Sequence, residues 1–474
     1  MLSRKSDGVN GNPGAPPVYC LRVQANATHR ATPNRTLVYG LDDAVPPGAA
    51  VVASFQHVVA MVVGTITPPL ILARVLALAP DDTAYLVSLA LLSSALGALL
   101  QTTRPGVVGS GLLSVTGTSF AFVEPLIQAG KDGGLPLMIG MSLAAAPVQM
   151  VLAPFLPALR RVFTPLVSGI VVLLIGLSLI PSAMGTIAAE PSPSAPAWAS
   201  TAVACLVIAV VVVAQVLDRP GPRLASVLLG IAAGYLACAA GGWLRASEAP
   251  AANHWVTVPS PLGHGLAFRA DLFLPFAFIY VVSSLEAVGD MTATAQLSGL
   301  ETTGVEFWRR LRGGVLADGL TCLVSAFFGA LPSTTYAQNN GVIQITGVAS
   351  RRVGPMVAIV LAVLGLSPVV ARWVTAMPPP VLGGLALLLF GLVAVSGLRL
   401  IARAPIGHRE AILIAVALAV GLGAPSQPHL VASLPSPFRA LFASGIAAGG
   451  LTALLLNAAL PSAAPCSVED DADA

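Results

Sequence analysis

The sequence predicts an all-α polytopic membrane protein: fourteen transmembrane segments in a 7+7 inverted repeat, with short extended segments in the third and tenth. Three observations predict it. The 474 residues are 55% hydrophobic and 9% charged, with mean hydropathy +0.84, against roughly 25% charged residues in soluble domains. Apolar windows of about 20 residues, enough to cross a hydrocarbon core of roughly 30 Å, recur along the chain. The chain also repeats itself. Thr118-Ser119-Phe120-Ala121 returns 216 positions on as Thr334-Thr335-Tyr336-Ala337, and Pro165-Leu166-Val167-Ser168-Gly169 returns 214 positions on as Pro379-Pro380-Val381-Leu382-Gly383.

Taken in order, residues 1–45 are rich in Gly, Pro, Asn and Arg and lack the apolar run of a signal peptide. They read as a disordered cytoplasmic N-terminal tail. Windows at 49–72, 84–101, 106–128, 135–156, 163–183, 199–217 and 223–243 form a first repeat over 46–244. Residues 245–271 read as an outer connecting loop. Windows at 272–298, 313–331, 333–349, 354–373, 380–398, 409–424 and 438–460 form a second repeat over 272–460, followed by a cytoplasmic C-terminal tail, 461–474. Seven is odd, so the second copy must insert upside down. Basic residues in the loops number thirteen against six in favour of a cytoplasmic N-terminus, which places both termini inside.

Composition also excludes classes. The net charge of +3 rests on basic residues in short loops between spans, so no nucleic-acid partner is expected. The five cysteines have neither paired nor metal-type spacing, and no metal is expected. No Walker-type loop or nucleophile elbow is present. The chain reads as no enzyme, without cofactors, and as a device driven by an ion gradient.

The polar residues at membrane depth carry the chemistry. In the third and tenth windows small hydroxyl residues precede an aromatic one, and Gly117 or Pro332 discourages a continuous helix. Irregular backbone survives at membrane depth only where it is buried in protein or lines a cavity. Two short extended segments are therefore expected to meet near the midplane, each leading into a half-helix whose N-terminus faces a polar ligand. The alternative is hydroxyls bonding back within an ordinary helix.

Downstream of Tyr336 stand Gln338, Asn339 and Asn340. A carboxamide offers donor and acceptor side by side, which matches the edge of a planar heterocycle. Asn339 or Asn340 is expected to be structural instead. Glu286 and Asp290 share a helix face at i, i+4, and Glu286 suits ring N–H groups. Asp318 stands alone in Gly313-Gly314-Val315-Leu316-Ala317-Asp318-Gly319. It reads as a proton carrier or as an internal hydrogen-bond anchor, alternatives that Asp290 shares. His57 reads as a packing residue more readily than as a relay. Glu124, near the outer end of its window, reads as solvated.

Gln338-Asn339-x-Gly341 followed by Thr346-Gly347 matches the signature of the nucleobase–ascorbate transporter family at every fixed position. Gln56-His57, Gly117-Thr118-Ser119-Phe120, Glu286 and Pro379-Pro380-Val381-Leu382-Gly383-Gly384 also fit, so the chain resembles that family from about Tyr39 to about residue 460. The resemblance implies a core domain of spans 1–4 and 8–11 sliding against a gate domain of spans 5–7 and 12–14 that dimerises. It implies Glu286 and Gln338 as the principal base-binding side chains, with Phe120, Tyr336, Ala337, Ser119 and Gly64 lining the site. Asp318, Asp290 and His57 would serve proton coupling, and Asn339, Gly341 and Thr346 gating.

Uracil permeases of the family typically carry Glu at the position of Gln338 and His at that of Asp290. Ala337-Gln338-Asn339-Asn340-Gly341 is closer to the xanthine and uric acid carriers. The resemblance thus implies a proton-coupled purine nucleobase importer, for xanthine or uric acid, in a bacterial cytoplasmic membrane. A uracil:proton symporter is the runner-up, sodium is the less favoured ion, and a sulfate or bicarbonate transporter of similar fold is a distant third.

Overall fold

The computed structural model of the chain describes residues 37–460 except 160–163, 191, 193–194, 218–221, 224, 245–257, 403–404 and 436–437. Most of the expected N-terminal tail, all of residues 461–474 and residues 245–257 of the outer connecting loop lie outside the described residues.

The first two apolar windows form α1 (Pro47–Val75) and α2 (Pro80–Thr103), each opened by a proline at the start of the helix, where its missing N–H costs nothing. The third window is no helix at its start: β1 (Thr116–Thr118) passes through a 3₁₀ turn, Phe120–Phe122, into α3 (Val123–Leu152). Non-helical torsions at Gly133 and Gly134 break α3, so the third and fourth expected segments meet at a glycine kink. There follow α4 (Pro165–Ala188), α5 (Ala199–Val216), α6 (Ser226–Ala240), α7 (Ala270–Leu297) and α8 (Gly304–Phe327). The tenth window divides into β2 (Ser333–Thr335) and the short α9 (Gln338–Thr346).

The eleventh window is not one straight helix. It splits into α10 (Gly354–Leu366) and α11 (Pro368–Thr375), bent by 72°, because Pro368 cannot continue α10. The last helices are α12 (Pro379–Ile401), α13 (His408–Ser426) and α14 (Gly445–Ala459). Among the described residues eight helices are long and apolar enough to cross a membrane, or nine with the bent pair taken as one. α8 has the length but opens on Glu306, Arg309, Arg310 and Arg312.

The boundary of the N-terminal tail is also corrected. Residues 37–43 are docked along the segment after α9 by backbone hydrogen bonds: Val38 N–H to Gly347 O at 2.9 Å, Ala349 N–H to Tyr39 O at 3.0 Å and Arg351 N–H to Leu41 O at 2.9 Å. An Arg351–Asp42 ion pair at 2.6 Å fastens the end. An extended backbone that finds partners has no reason to stay loose.

The sequence repeat reappears as a repeat of contacts. A Cβ on Gly169 would lie 2.7 Å from Ile401 Cγ1 and 2.9 Å from Gly397 O, while one on Gly383 would lie 2.7 Å from Ile187 Cγ1 and 3.1 Å from Ala183 O. Both partners shift by the same 214 positions. The absence of side chains lets the backbones of α4 and α12 touch, the way helices associate where lipid offers no hydrophobic drive. Elsewhere the interior is filled by large side chains. Phe122 packs edge-on to Tyr280 at 4.6 Å, and the Tyr280 hydroxyl donates to Ser142 O at 3.0 Å. Val213, Leu236, Trp373 and Leu392 stay exposed, as side chains facing hydrocarbon should.

Candidate functional site

The site begins with the backbone. β1 and β2 pair antiparallel in the register Thr116–Thr335, Gly117–Thr334 and Thr118–Ser333. Two more bonds extend the pairing, Ser119 N–H to Pro332 O at 3.0 Å and Tyr336 N–H to Val115 O at 2.9 Å. All six strand residues are buried. The β-branched threonines favour extended backbone, and each strand satisfies the polar groups that the other could not leave bare in a membrane. From this crossing the chain runs outward into the turn before α3 and, at Gln338, into α9. The two expected extended segments are therefore present and meet.

The aromatic residues are fixed by this pairing. The Tyr336 hydroxyl donates to Thr118 O at 2.7 Å, tying the residue after β2 to the end of β1. Its ring lies over two glycines: a Cβ on Gly117 would come within 2.6 Å of it, and one on Gly64 within 3.1 Å. Gly64 thus serves as the seat of Tyr336. Phe120 is 5% exposed and stands edge-on to Phe390 of α12, with ring centroids 5.4 Å apart. Ser119 Oγ is enclosed and finds no partner among the described residues.

Three carboxylates converge beside the strands. Glu286 and Asp290 lie one turn apart on α7, and Asp318 projects from α8. Asp318 is fully buried but has a side-chain partner, in keeping with the hydrogen-bond-anchor alternative: Gln101 of α2 donates from Nε2 to Asp318 Oδ1 at 2.8 Å. Asp318 acts electrostatically on Glu286, and Asp290 feels both. Enclosed and without partners among the described residues are Glu286 Oε2, Asp318 Oδ2, Ser283 Oγ, and the hydroxyls of Thr334 and Thr335. Buried polar groups are normally paired, so these atoms are left for water or a polar ligand to satisfy.

Of the three carboxamides two are committed to structure. Asn339 Nδ2 lies 3.0 Å from His57 Nδ1 and 3.5 Å from His57 O. An amide N–H donating to Nδ1 puts the ring proton on Nε2, and that nitrogen has no partner among the described residues. Asn340 Oδ1 accepts from Thr294 Oγ1 at 2.7 Å. Gln338 remains partly exposed, next to the exposed Ala337 at the start of α9. His57 is thus brought to Asn339. Thr346 Oγ1 donates to Val342 O at 2.8 Å and accepts from Val348 N–H, and Gly347 ends α9 at φ 69, so this end of the motif caps a helix. Gly341 has open space where a side chain would be.

Sequence reasoning missed Gln101, although it is the one carboxamide in α2. It also missed Thr65, whose Oγ1 would lie 2.6 Å from a Cβ on Gly117. Glu124 is corrected: instead of standing in solvent it accepts from Ser444 Oγ at 3.0 Å and from the Gly445 N–H at 3.3 Å.

A multi-pass apolar bundle with a half-helix and a buried strand pair, beside carboxylates of which Glu286 and Asp318 each keep one unpartnered oxygen among the described residues, fits a membrane permease. The chain belongs to the Permease family, Xan_ur_permease, whose model matches residues 48–430. Xanthine permease XanP of Escherichia coli (strain K12) is 42% identical over 443 residues, covering 91% of this chain and 96% of that protein. Uric acid permease PucJ of Bacillus subtilis (strain 168) is 34% identical, covering 85% and 91%. Among solved structures, the transmembrane domain of a cyanobacterium bicarbonate transporter, BicA, aligns with TM-score 0.53 at 14% identity over 88% of this chain and 99% of that one. SLC26A9 aligns with TM-score 0.55 at 14% identity over 86% and 65%. These structural likenesses concern the fold.

Proposed function

We propose that this protein imports a purine nucleobase, xanthine or uric acid, by proton symport across a bacterial cytoplasmic membrane. One observation carries the reading: an unpartnered Glu286 carboxylate oxygen and the uncommitted Gln338 amide stand beside the same strand pair. A carboxylate accepts ring N–H groups, and a carboxamide matches a neighbouring N–H and C=O. The names of the xanthine and uric acid permeases that resemble the chain along most of its length support the same substrate class.

In this reading Glu286 and Gln338 hold the base, and Phe120, Tyr336, Ala337, Ser119 and Gly64 shape its slot. Asp318 and Asp290 carry or order the proton. His57 belongs to the same proton-coupling network and, through Asn339, ties the first helix to α9, where Asn339, Gly341 and Thr346 serve gating. The fourteen segments form the 7+7 inverted repeat, both termini are cytoplasmic, and the core of spans 1–4 and 8–11 slides as an elevator against the gate of a homodimer. The repeated contacts of α4 and α12 and the pairing of β1 with β2 support the repeat.

The test is uptake of radiolabelled xanthine in cells lacking their own purine permeases, with unlabelled uric acid, uracil and sulfate as competitors, with and without a protonophore. Uptake blocked by uric acid and collapsed by the protonophore is expected. Uptake of uracil alone moves the substrate to a pyrimidine, and sulfate transport in place of either base overturns the function.

A further inference from the structure

A cavity of about 220 Å³ lies between α3, α4, α7 and the turn into α14. Its polar wall on α3 is Glu124, Gln128 and Lys131, spaced i, i+4, i+7 on one helix face. That face begins four residues after Phe120. On α4, Ser178 and Ser182 line the cavity one turn apart, and Ser182 Oγ is enclosed without a partner among the described residues. The apolar wall is Phe276 and Ile279 of α7.

The same face of α7 continues through Ser283, whose Oγ is also unpartnered, to Glu286. The steps from 276 to 279, 283 and 286 are three, four and three, which keeps all four on one side of the helix. Seven residues separate Ile279 from Glu286, about 10 Å of helix. Two helix faces, one leaving Phe120 along α3 and one leaving Glu286 along α7, therefore lead from the strand-pair site to the cavity.

We propose that this cavity is a second nucleobase site, an antechamber to the strand-pair site, in which Glu124 and Gln128 recognise the N–H and C=O edge of the ring and Phe276 takes its face. The proposal rests on the purine reading above. A carboxylate, a carboxamide and two hydroxyls around a phenyl ring suit a flat neutral heterocycle, and a lining that sets a carboxylate against one cation, Lys131, does not suit an inorganic anion. As the structure stands, Glu124 is held by Ser444 Oγ and the Gly445 N–H at the start of α14. A ring N–H that takes over the carboxylate frees Ser444 and Gly445, so that loading the antechamber loosens the contact between α3 and α14.

The experiment is alkylation of a Ser182→Cys variant in membranes by N-ethylmaleimide, read at position 182 by mass spectrometry, with and without xanthine, in the otherwise intact protein and combined with Glu286→Gln. At xanthine about ten times its half-saturating concentration, labelling should slow roughly tenfold in both proteins, and adding Glu124→Ala should abolish the protection. Protection that disappears with Glu286→Gln alone means that the strand-pair site is the sole site and overturns the antechamber. Absence of protection in every variant overturns it too. If the unaltered protein then also fails to bind xanthine in a filter assay, the purine reading falls with it; if it binds, that reading stands.

Discussion

Gln101 Nε2 donates to Asp318 Oδ1 at 2.8 Å and to Gly314 O at 2.9 Å, while Asp318 Oδ2 is left without a partner among the described residues. One carboxylate oxygen is anchored between α2 and α8, and the other is available for a proton.

Asp318→Asn should therefore keep xanthine binding but lose accumulation against a gradient, since an amide cannot cycle a proton. Binding to purified protein and protonophore-sensitive uptake check the two halves, and unchanged accumulation ends the coupling role. Gln101→Ala, which strands a buried carboxylate oxygen, should lower stability by about 1–3 kcal/mol, read as an earlier thermal unfolding in detergent.

Glu286→Gln replaces the acceptor proposed for the ring N–H groups. Hydrogen bonds to a charged group contribute ~1.5–3 kcal/mol, so xanthine binding should weaken about ten- to a hundredfold. Calorimetric titration of the purified variant decides it. Retained affinity removes Glu286 from contact with the base.

Gln338→Glu changes the one member of the 338–340 carboxamide run without a bond among the described residues into an acceptor at both oxygens. The ratio of uracil to xanthine as competitors of uptake should rise, because the donor that the purine edge used is gone. An unaltered competition profile counts against Gln338 as a specificity residue.

Gly117→Ala places a methyl group 2.6 Å from Thr65 Oγ1 and from the Tyr336 ring. Overpacking of this kind costs about 1–3 kcal/mol, and the displaced ring loses its bond to Thr118 O. Uptake should fall while the protein still reaches the membrane. Immunoblotting of membranes beside the uptake assay separates the two effects.

The strand pair was legible because its causes are local. Glycine or proline before hydroxyl and aromatic residues marks a break in an apolar run, and two such breaks 216 positions apart mark partners. The Gln101–Asp318 bond was not legible, because its ends are 217 residues apart and nothing in either neighbourhood names the other. Docking of residues 37–43 was hidden for a different reason: it uses backbone N–H and C=O groups, which composition does not display. The bend at Pro368 was visible as a residue but was averaged away inside a hydropathy window. At the site, Glu286, Asp318 and the carboxamides were singled out from their cost in a bilayer. Which carboxamides were free and which were spoken for required the positions of Thr294 and His57.

The pairing of Thr116–Thr118 with Ser333–Thr335 also sets an order of events at birth. A ribosome adding roughly 5–20 residues per second takes on the order of ten to forty seconds to travel from one strand to the other. Throughout that interval the earlier strand is in the membrane, or waiting beside it, without the backbone that completes it. The insertion machinery or early-made neighbours such as α1 and α2 must shelter those amides until the second strand arrives, with α10 to α14 still to be made.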